Sequence, residues 1–575
     1  MNRRQLKILI LGGYGTFGGR LAELLCNEKD LILVIAGRSI SSATDLCERL
    51  PAGAICQAQA MDRDIDLERR LSEIAPDIVV DASGPFQAYG DDPYRVVKAA
   101  IAVGAHYLDF ADGSDFVRGI SQFDAAARDA GLTILSGVSS FPVLTAAVVR
   151  HLSSDLQTVD TITGGIAPSP YAGVGLNVIR AIAGYSGQKV QVRRNGIPDT
   201  AYALTETHRY TIAPPGFIPL RPIDFSLVDV PDLQLLTDLW PEVQSVWMGA
   251  GPLPAVLHRM LRWLAYAVRW RLFPSLSPVA KLMFHTIRIL RWGEHRGGMF
   301  VEIEGTEADG NSVRRSWHLL AEGDDGPLIP SMAIEALVRN WLAGQEPQIG
   351  ARPATAELDL ADYATLFRDR RIYTADRRQD EIADGCLYGR LLGSAWQSLP
   401  TAVKSLHSAS PRLTASGKAK VTRGTGILAR LAAKIVGFPE AANDVNLSVS
   451  IQQTEKSEIW TRNFAGQIFS SVQFEGTGRF ERLLCERFGP MTVGIALVVD
   501  SDRMKLVVRR WSIFGVPMPH WLAPSGESYE FEEQGTFHFH VEIRAPIVGL
   551  IVQYAGHLHQ SNGMNTAART DIASC

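Results

Sequence analysis

The feature that most constrains this chain lies near its start. An apolar run, Ile8 to Leu11, breaks into Gly12-Gly13-Tyr14-Gly15-Thr16-Phe17-Gly18 and then into a helical pattern carried by Leu21, Leu24 and Leu25. A short unbroken apolar run reads as a strand buried on both faces of a parallel sheet. Gly13, Gly15 and Gly18 spell G-x-G-x-x-G between that strand and that helix. In this setting the glycines permit a tight turn, close approach of a pyrophosphate and close packing of helix on strand. The helix N-terminus offers unpaired N–H groups to phosphate. The stretch predicts a dinucleotide site with Gly12, Gly13, Tyr14, Gly15, Thr16, Phe17 and Gly18 at the phosphates. The competing reading is a glycine-rich turn with no ligand.

The next apolar run, Leu31 to Ala36, ends in Gly37-Arg38-Ser39, twenty residues beyond Gly18. A site for NAD usually carries Asp or Glu here, to bind the ribose 2′-hydroxyl. Arg38 instead suits a 2′-phosphate through charge-assisted hydrogen bonds, with the Ser39 hydroxyl beside it. NADP(H) is the expected cofactor. Strand and helix patterns go on alternating to residue 150, which predicts an α/β fold, a Rossmann-like doubly wound parallel sheet. The strand Asp77 to Asp81 opens into Ala82-Ser83-Gly84-Pro85-Phe86, followed by Tyr89-Gly90. A loop at the carboxyl end of a parallel strand faces the cofactor crevice, so Ser83, Gly84, Pro85 and Phe86 are expected around the ribose and nicotinamide.

A chain of 575 residues is long enough for several domains; its 46% hydrophobic and 21% charged residues are those of a soluble globular protein. A net charge of −4 gives no reason to expect nucleic acid as a partner. Cys26, Cys47, Cys56, Cys386, Cys485 and Cys575 show no Cys-x-x-Cys spacing and fit reduced thiols in a cytoplasmic setting. Met-Asn-Arg-Arg runs almost directly into the first strand, without the design of a signal peptide. No stretch reaches about 18 uninterrupted apolar residues, so no membrane span is expected.

Residues 151–372 read as a second, substrate-side α+β domain. Asp160 to Gly165 forms a strand pattern, 187–196 a hairpin, and the runs from Met299 and Ser316 two strands joined by the turn Asp309-Gly310. Between them, Val243 to Gly293 holds seven Lys or Arg residues and no Asp or Glu. At about 100° per residue, Leu257, Leu261, Leu264, Val268 and Leu272 share one helix face. Arg259, Arg262, Arg269, Trp263 and Trp270 take the other. A second helix pattern carries Lys281, Arg288 and Arg291. Basic amphipathic helices with tryptophans, here 254–292, are how a peripheral protein lies on an anionic membrane. The plainer alternative is a packed helical pair with solvated arginines. Residues 373–385 are charged and unpatterned and read as a linker. From 386 to 560 the character is mostly β, with helical patterns at Leu387 to Leu399 and Ile427 to Val436. Period-two alternation at Val445–Ile451, Val493–Val499 and Phe537–Ile543 predicts a curved antiparallel sheet or a partly closed barrel. The polar tail 561–575 is expected to be disordered.

Several motifs carry a resemblance. Gly-Gly-Tyr-Gly-Thr-Phe-Gly from Gly12, Ala-Gly-Arg ending at Arg38, Ala-Ser-Gly-Pro-Phe from Ala82, and Gly-Ala-His-Tyr-Leu-Asp ending at Asp109 resemble the NADP-binding domain of saccharopine dehydrogenase-like proteins. That group includes saccharopine reductase and enoyl-reductase-like members. The likeness resumes at Arg315-Ser-Trp, Gly326-Pro-Leu-Ile-Pro330 and Ile349-Gly-Ala351, implying that 326–350 complete the nucleotide domain. Gly-Phe-Pro439, Glu458-Ile-Trp-Thr-Arg-Asn-Phe464 and Glu486-Arg-Phe-Gly-Pro490 resemble an uncharacterised domain often fused behind such chains. The resemblance implies NADP(H) at the Gly13–Gly18 loop, at Arg38 and at the Ser83–Phe86 loop. It transfers no substrate.

The reacting chemistry is less legible. Tyr89, Asp109 and Asp112 lie on or beside crevice-facing loops and are candidate proton donors, with helix capping and turn formation as competing roles. Tyr94-x-x-x-Lys98 echoes a short-chain dehydrogenase pair but stands too early in the fold. His538, His540, His557 and His559 form two His-x-His pairs, for which solvent-face positions are the simpler account, so no metal is expected. The sequence therefore predicts an NADP(H)-dependent oxidoreductase acting on a small-molecule, apolar or lipid-like substrate. The alternative is a non-catalytic lipid- or ligand-binding protein with a nucleotide-sensing domain. A homodimer is left open.

Overall fold

Ile8, Leu9 and Ile10 have no solvent exposure, and this places the first apolar run, strand β1 (Leu6–Leu11), inside a sheet covered on both faces. The computed structural model describes residues 5–378, 386–408 and 410–560. The chain divides into two compact units: Met1–Ile212 with Ile223–Ala375, and Ala213–Pro222 with Asp376–Cys575.

In the first unit, β1 is followed by β2 (Leu31–Gly37), β3 (Ile55–Ala60), β4 (Ile78–Asp81), β5 (His106–Asp109) and β6 (Thr133–Ser136). A seventh strand, Gly350–Pro353, pairs in parallel with β6. The order is Gly350–Pro353, β6, β5, β4, β1, β2, β3, the Rossmann-like parallel sheet expected from the alternating pattern. Strand order reverses between β1 and β4, which opens a crevice at their carboxyl ends. Helix α1 (Thr16–Leu25) turns its buried Gly18, Leu21, Leu24 and Leu25 to this sheet. The distant helix Ile329–Leu342 packs against α1, where the Ser331 hydroxyl donates to the Phe17 carbonyl at 3.2 Å.

A nine-stranded mixed sheet follows in the same unit. Its long strand Leu156–Ala167 runs antiparallel to Arg296–Glu307 and parallel to Ser245–Ala250. Arg296–Glu307 and Ser312–Glu322 meet at Gly310, whose φ of +87° makes the tight turn that glycine allows. Ile372–Arg378, expected to begin a linker, is instead a strand beside Ser312–Glu322. Its charged side chains hid the pattern, because an edge strand needs little apolar surface. The rest of the expected linker, 379–385, and the tail 561–575 lie outside the described residues.

The basic segment forms two helices, Ala255–Arg269 and Ala280–Ile289, with faces that differ from the wheel drawn on the sequence. His258, Ala265 and Val268 are buried, whereas Leu264 and Leu272 face solvent. The buried face is fixed by polar tertiary contacts: the His258 ring bonds the Ser226 hydroxyl at 2.9 Å, and the Tyr266 hydroxyl donates to the Thr205 carbonyl at 2.7 Å. Among the described residues no helix is long and apolar enough to cross a membrane.

The second unit is antiparallel. Met491–Asp500 pairs with Leu484–Phe488 on one side and with Arg503–Ile513 on the other, so ten strands close into a barrel. Val516–Pro517 pairs at its rim. Closure leaves the strands without free edges, which is why period-two alternation persists through so many segments. Trp460, Phe464, Phe469, Phe537, Phe539 and Tyr554 are buried together. The expected helix Leu387 to Leu399 breaks at Gly393 (φ +54°), leaving Leu387–Leu392 and a further helix at Thr401–Leu406. Both join the same core, where the Tyr388 hydroxyl donates to Gln473 at 2.9 Å. Ile427–Val436 is helical as expected.

Candidate functional site

The turn after β1 is built at the limit of backbone approach. Gly12 has φ +76°, and a Cβ there would stand 2.8 Å from the Ala82 carbonyl oxygen. A Cβ on Gly13 would lie 2.8 Å from the Ile10 carbonyl, one on Gly15 2.9 Å from the Gly12 carbonyl, and one on Gly18 2.6 Å from that same oxygen. These distances are below those that real Cβ atoms tolerate, so the loop can exist only with glycines. Gly12 and Gly13 both donate to the Ala36 carbonyl, at 2.8 and 3.0 Å, which ties the loop to the end of β2.

At that end, the Tyr14 ring covers Gly37, where a Cβ would fall 2.4 Å from the ring. The Tyr14 hydroxyl accepts from the Ser39 N–H at 2.9 Å. Ser39 caps the helix Ile40–Arg49 by accepting from the Ser42 N–H, and its hydroxyl lies 3.0 Å from those of Ser41 and Ser42. Arg38 is exposed and forms no ion pair with a described residue. A guanidinium, three hydroxyls and a helix N-terminus are groups that could hold an anion. Ser41 and Ser42 were not singled out in the sequence, though a serine run at a helix start is a readable signal.

Beside this lies a cavity of about 230 Å³. Gly15, Thr16, Phe17, Gly84, Pro85 and Phe86 line it, all of them predicted cofactor residues. Phe110, Leu176, Val178 and Ala181 add further apolar wall, and Asp112 supplies a carboxyl group. Phe17 and Phe110 stack with ring centroids 5.6 Å apart. The segment 172–177 reaches this wall from the mixed-sheet region. Arg20 donates to the Ala172 carbonyl at 2.6 Å, and the Asn177 side-chain amide donates to the Gly84 carbonyl at 2.6 Å. Sequence reasoning missed these residues, because only the fold brings 172–181 against the first turn of α1.

Ser83 does not line the cavity. Its hydroxyl donates to Asp81 at 2.6 Å and lies 2.8 Å from the Tyr89 hydroxyl, which itself bonds both Asp81 oxygens at 3.1 and 3.2 Å. The Arg63 guanidinium stacks over the Tyr89 ring at 3.3 Å and faces Asp81 as a counter-charge. Burial raises the Asp81 carboxyl above the usual range, offset in part by the Ser83 and Tyr89 hydrogen bonds and by Arg63. The network holds the Ser83–Phe86 loop in place. Burial, then the Asp81 charge, pushes the Tyr89 hydroxyl far above its ordinary value, so it is a poor acid.

The other two proton-donor candidates separate clearly. Asp109 has no solvent exposure; one of its oxygens accepts from the Ala111 and Gly137 N–H groups at 2.9 and 2.7 Å, fixing the loops after β5 and β6. Its other oxygen is buried too, and desolvation pushes the carboxyl up to about 7. Asp112 alone of the three lines the cavity. The Gln87 amide donates to it at 3.0 Å, and burial, with a smaller contribution from Asp229, raises its pKa. Tyr94 and Lys98 do not act together: the Tyr94 hydroxyl donates to the Phe116 carbonyl, and Lys98 pairs with Asp92 at 2.8 Å. His538 faces His557 across two barrel strands with ring centroids 5.7 Å apart. Among the described residues no group of three His, Cys, Asp or Glu is placed to hold a metal.

Residues 8–135 match the family model "Saccharopine dehydrogenase NADP binding domain", and residues 399–558 match a domain of unknown function, DUF4166. No curated protein matches. Among solved structures, saccharopine dehydrogenase (L-Glu forming) from Saccharomyces cerevisiae is 16% identical, covers 65% of this chain and 99% of its own, and has a TM-score of 0.46. Biliverdin reductase from Synechocystis, in complex with biliverdin and NADP+, is 13% identical over 64% of this chain and 97% of its own, with a TM-score of 0.29. A probable dehydrogenase from Thermotoga maritima is 10% identical over 60% and 91%, with a TM-score of 0.30.

Proposed function

We propose that this chain, which carries a saccharopine dehydrogenase-type NADP-binding domain at residues 8–135, is an NADP(H)-dependent oxidoreductase for an apolar, lipid-like substrate. The observation that carries the reading is the cavity wall. Phe17, Pro85, Phe86, Phe110, Leu176 and Val178 present apolar surface beside the glycine turn, with Asp112 as the carboxyl group among them. The Gly12–Gly18 loop and the N-terminus of α1 would hold the pyrophosphate, and Arg38 with Ser39 the 2′-phosphate. The bound cofactor supplies the redox chemistry, leaving the protein to bind, orient and exclude water. Phe17 and Phe110 would pack against the substrate and shed its hydration. Asp112, whose carboxyl burial holds above the ordinary carboxylate range, would be the group that hands a proton to the substrate atom that gains electron density.

The test is a titration of the full chain with NADPH, followed by nicotinamide fluorescence. A panel of long-chain enones, imines and ketones is then assayed for NADPH oxidation. Saturable binding and turnover of an apolar member are expected. Asp112→Asn should lower kcat by about 10²-fold or more with NADPH affinity kept, as removal of a general acid does. Absence of saturable NADPH binding would reject the reading. Binding without turnover of any member would favour a nucleotide-sensing role.

A further inference from the structure

We propose that the outer face of the 255–292 helical pair docks on an anionic phospholipid bilayer. The inner face of each helix is already occupied. Ala280, Met283, Phe284 and Ile287 pack with Val268 and Leu261 onto Ile179, Ile182 and Ala183 of the helix Leu176–Tyr185. What faces water nevertheless includes large apolar side chains: Trp263 is 70% exposed, Leu272 67%, Leu282 67% and Ile289 78%, with Met260 and Trp270 also exposed. A helix that is solvated on its outer side carries polar residues there, and a contiguous apolar outer face marks an interaction surface.

The charges select the partner. Arg259, Arg269, Arg271, Lys281, Arg288 and Arg291 are all exposed on this segment, and no Asp or Glu occurs between Val243 and Gly293, in a chain whose net charge is −4. None of the six forms an ion pair with a described residue; Arg269 and Arg288 lie over the rings of Tyr202 and Phe284. Exposed tryptophan and aliphatic side chains ringed by unpaired cations match an interface of acyl chains beneath anionic headgroups. A second copy of the chain would bring the same cations against these and repel.

The position adds a consequence. The helix Leu176–Tyr185 carries the docking pair on Ile179, Ile182 and Ala183, and lines the cavity with Leu176, Val178 and Ala181. One helix therefore separates the bilayer face from the crevice, so docking would hold the crevice at the level from which a lipid-like substrate is drawn. That use rests on the oxidoreductase reading; the docking itself does not.

The test is co-sedimentation of the full chain with phosphatidylcholine vesicles and with vesicles of equal parts phosphatidylcholine and phosphatidylserine. Two variants accompany it, Trp263→Ser with Leu282→Ser, and Arg259→Gln with Lys281→Gln. NADPH fluorescence serves as the control for folding, since none of these residues lines the cavity. Pelleting is expected with the anionic vesicles and should fall with added salt. The charge variant should lose about 5-fold per cation at low salt. The apolar variant should lose about tenfold or more per side chain. Wild-type protein that stays in the supernatant, or variants that pellet as the wild type does, would overturn the proposal. A wild-type dimer that the apolar variant converts to monomer, without vesicle binding, would reassign the face to self-association. Wild-type protein that binds NADPH but not anionic vesicles rejects docking alone, and wild-type protein that binds the vesicles but not NADPH rejects the oxidoreductase reading alone.

Discussion

Replacing Arg38 tests the cofactor assignment most directly. Its guanidinium is exposed and pairs with no described residue, so no such interaction has to be broken before it meets a 2′-phosphate. The neighbouring backbone is already held by the Tyr14 hydroxyl, which accepts from the Ser39 N–H, so little ordering remains to be done. A hydrogen bond to a charged group contributes about 1.5–3 kcal/mol. Exposure and screening argue for the lower end, about 1.5 kcal/mol, or roughly a tenfold loss of NADPH affinity in Arg38→Gln. Arg38→Asp adds like-charge repulsion toward the phosphate and an acceptor for a ribose hydroxyl. Its NADPH-to-NADH preference should therefore move by about 100-fold in total. The assay is parallel nicotinamide-fluorescence titration with NADPH and NADH at low and physiological salt. NADH affinity should be unchanged in Arg38→Gln, and the NADPH loss should shrink as salt rises. An equal loss for both cofactors, or none for either, would refute the reasoning.

Four further outcomes are expected. Gly18→Ala would bring a Cβ within 2.6 Å of the Gly12 carbonyl and 2.8 Å of the Gly13 Cα, both backbone; it should cost about 1–3 kcal/mol in urea denaturation and abolish NADPH binding. Gly19→Ala, whose nearest neighbour is 3.7 Å away, should fold and bind normally. Asp109 is raised from 3.8 to about 7, so its contribution is full below pH 3.8 and declines as pH rises toward 7, by about 4 kcal/mol in all. Asp109→Asn should remove that decline from the stability curve while keeping an oxygen for the Ala111 and Gly137 N–H groups; parallel curves would sink the idea. His258 moves the opposite way. Burial, then Arg262, lowers its pKa from 6.5 to about 4, so its neutral form stabilises the fold above pH 6.5 and about 3 kcal/mol is lost as pH falls toward 4. His258→Gln should flatten that limb in thermal melts between pH 4 and 7.

Much of the nucleotide domain could be read from local pattern, because local sterics dictate it. The apolar run of β1 and the glycines after it admit few other conformations, and the reason is visible in the oxygen atoms that any added Cβ would strike. The alternation in the barrel strands was equally readable, since one side of each strand must be buried. Its closure was not. Closing the ring depends on Met491–Asp500 meeting both Leu484–Phe488 and Arg503–Ile513, a matter of register that no single segment encodes. The site divides along the same line. Gly15, Thr16, Phe17, Gly84, Pro85 and Phe86 could be named from motif, while Phe110, Leu176, Val178 and Ala181 could not, since they come from separate elements that only packing brings together.

What the sequence determined by itself was the glycine turn after β1, the cation and serine at the end of β2, and the absence of acid through the basic segment. Each is a property of neighbours along the chain. Tertiary structure alone decided that Tyr89 and Asp109 serve the scaffold while Asp112 faces the cavity, and that the tryptophans of the basic helices turn outward. The physical reason is burial. A carboxyl group, a hydroxyl or an indole has the same chemistry anywhere in the chain, and only the surfaces packed around it decide whether it props a loop, holds a proton or meets another phase.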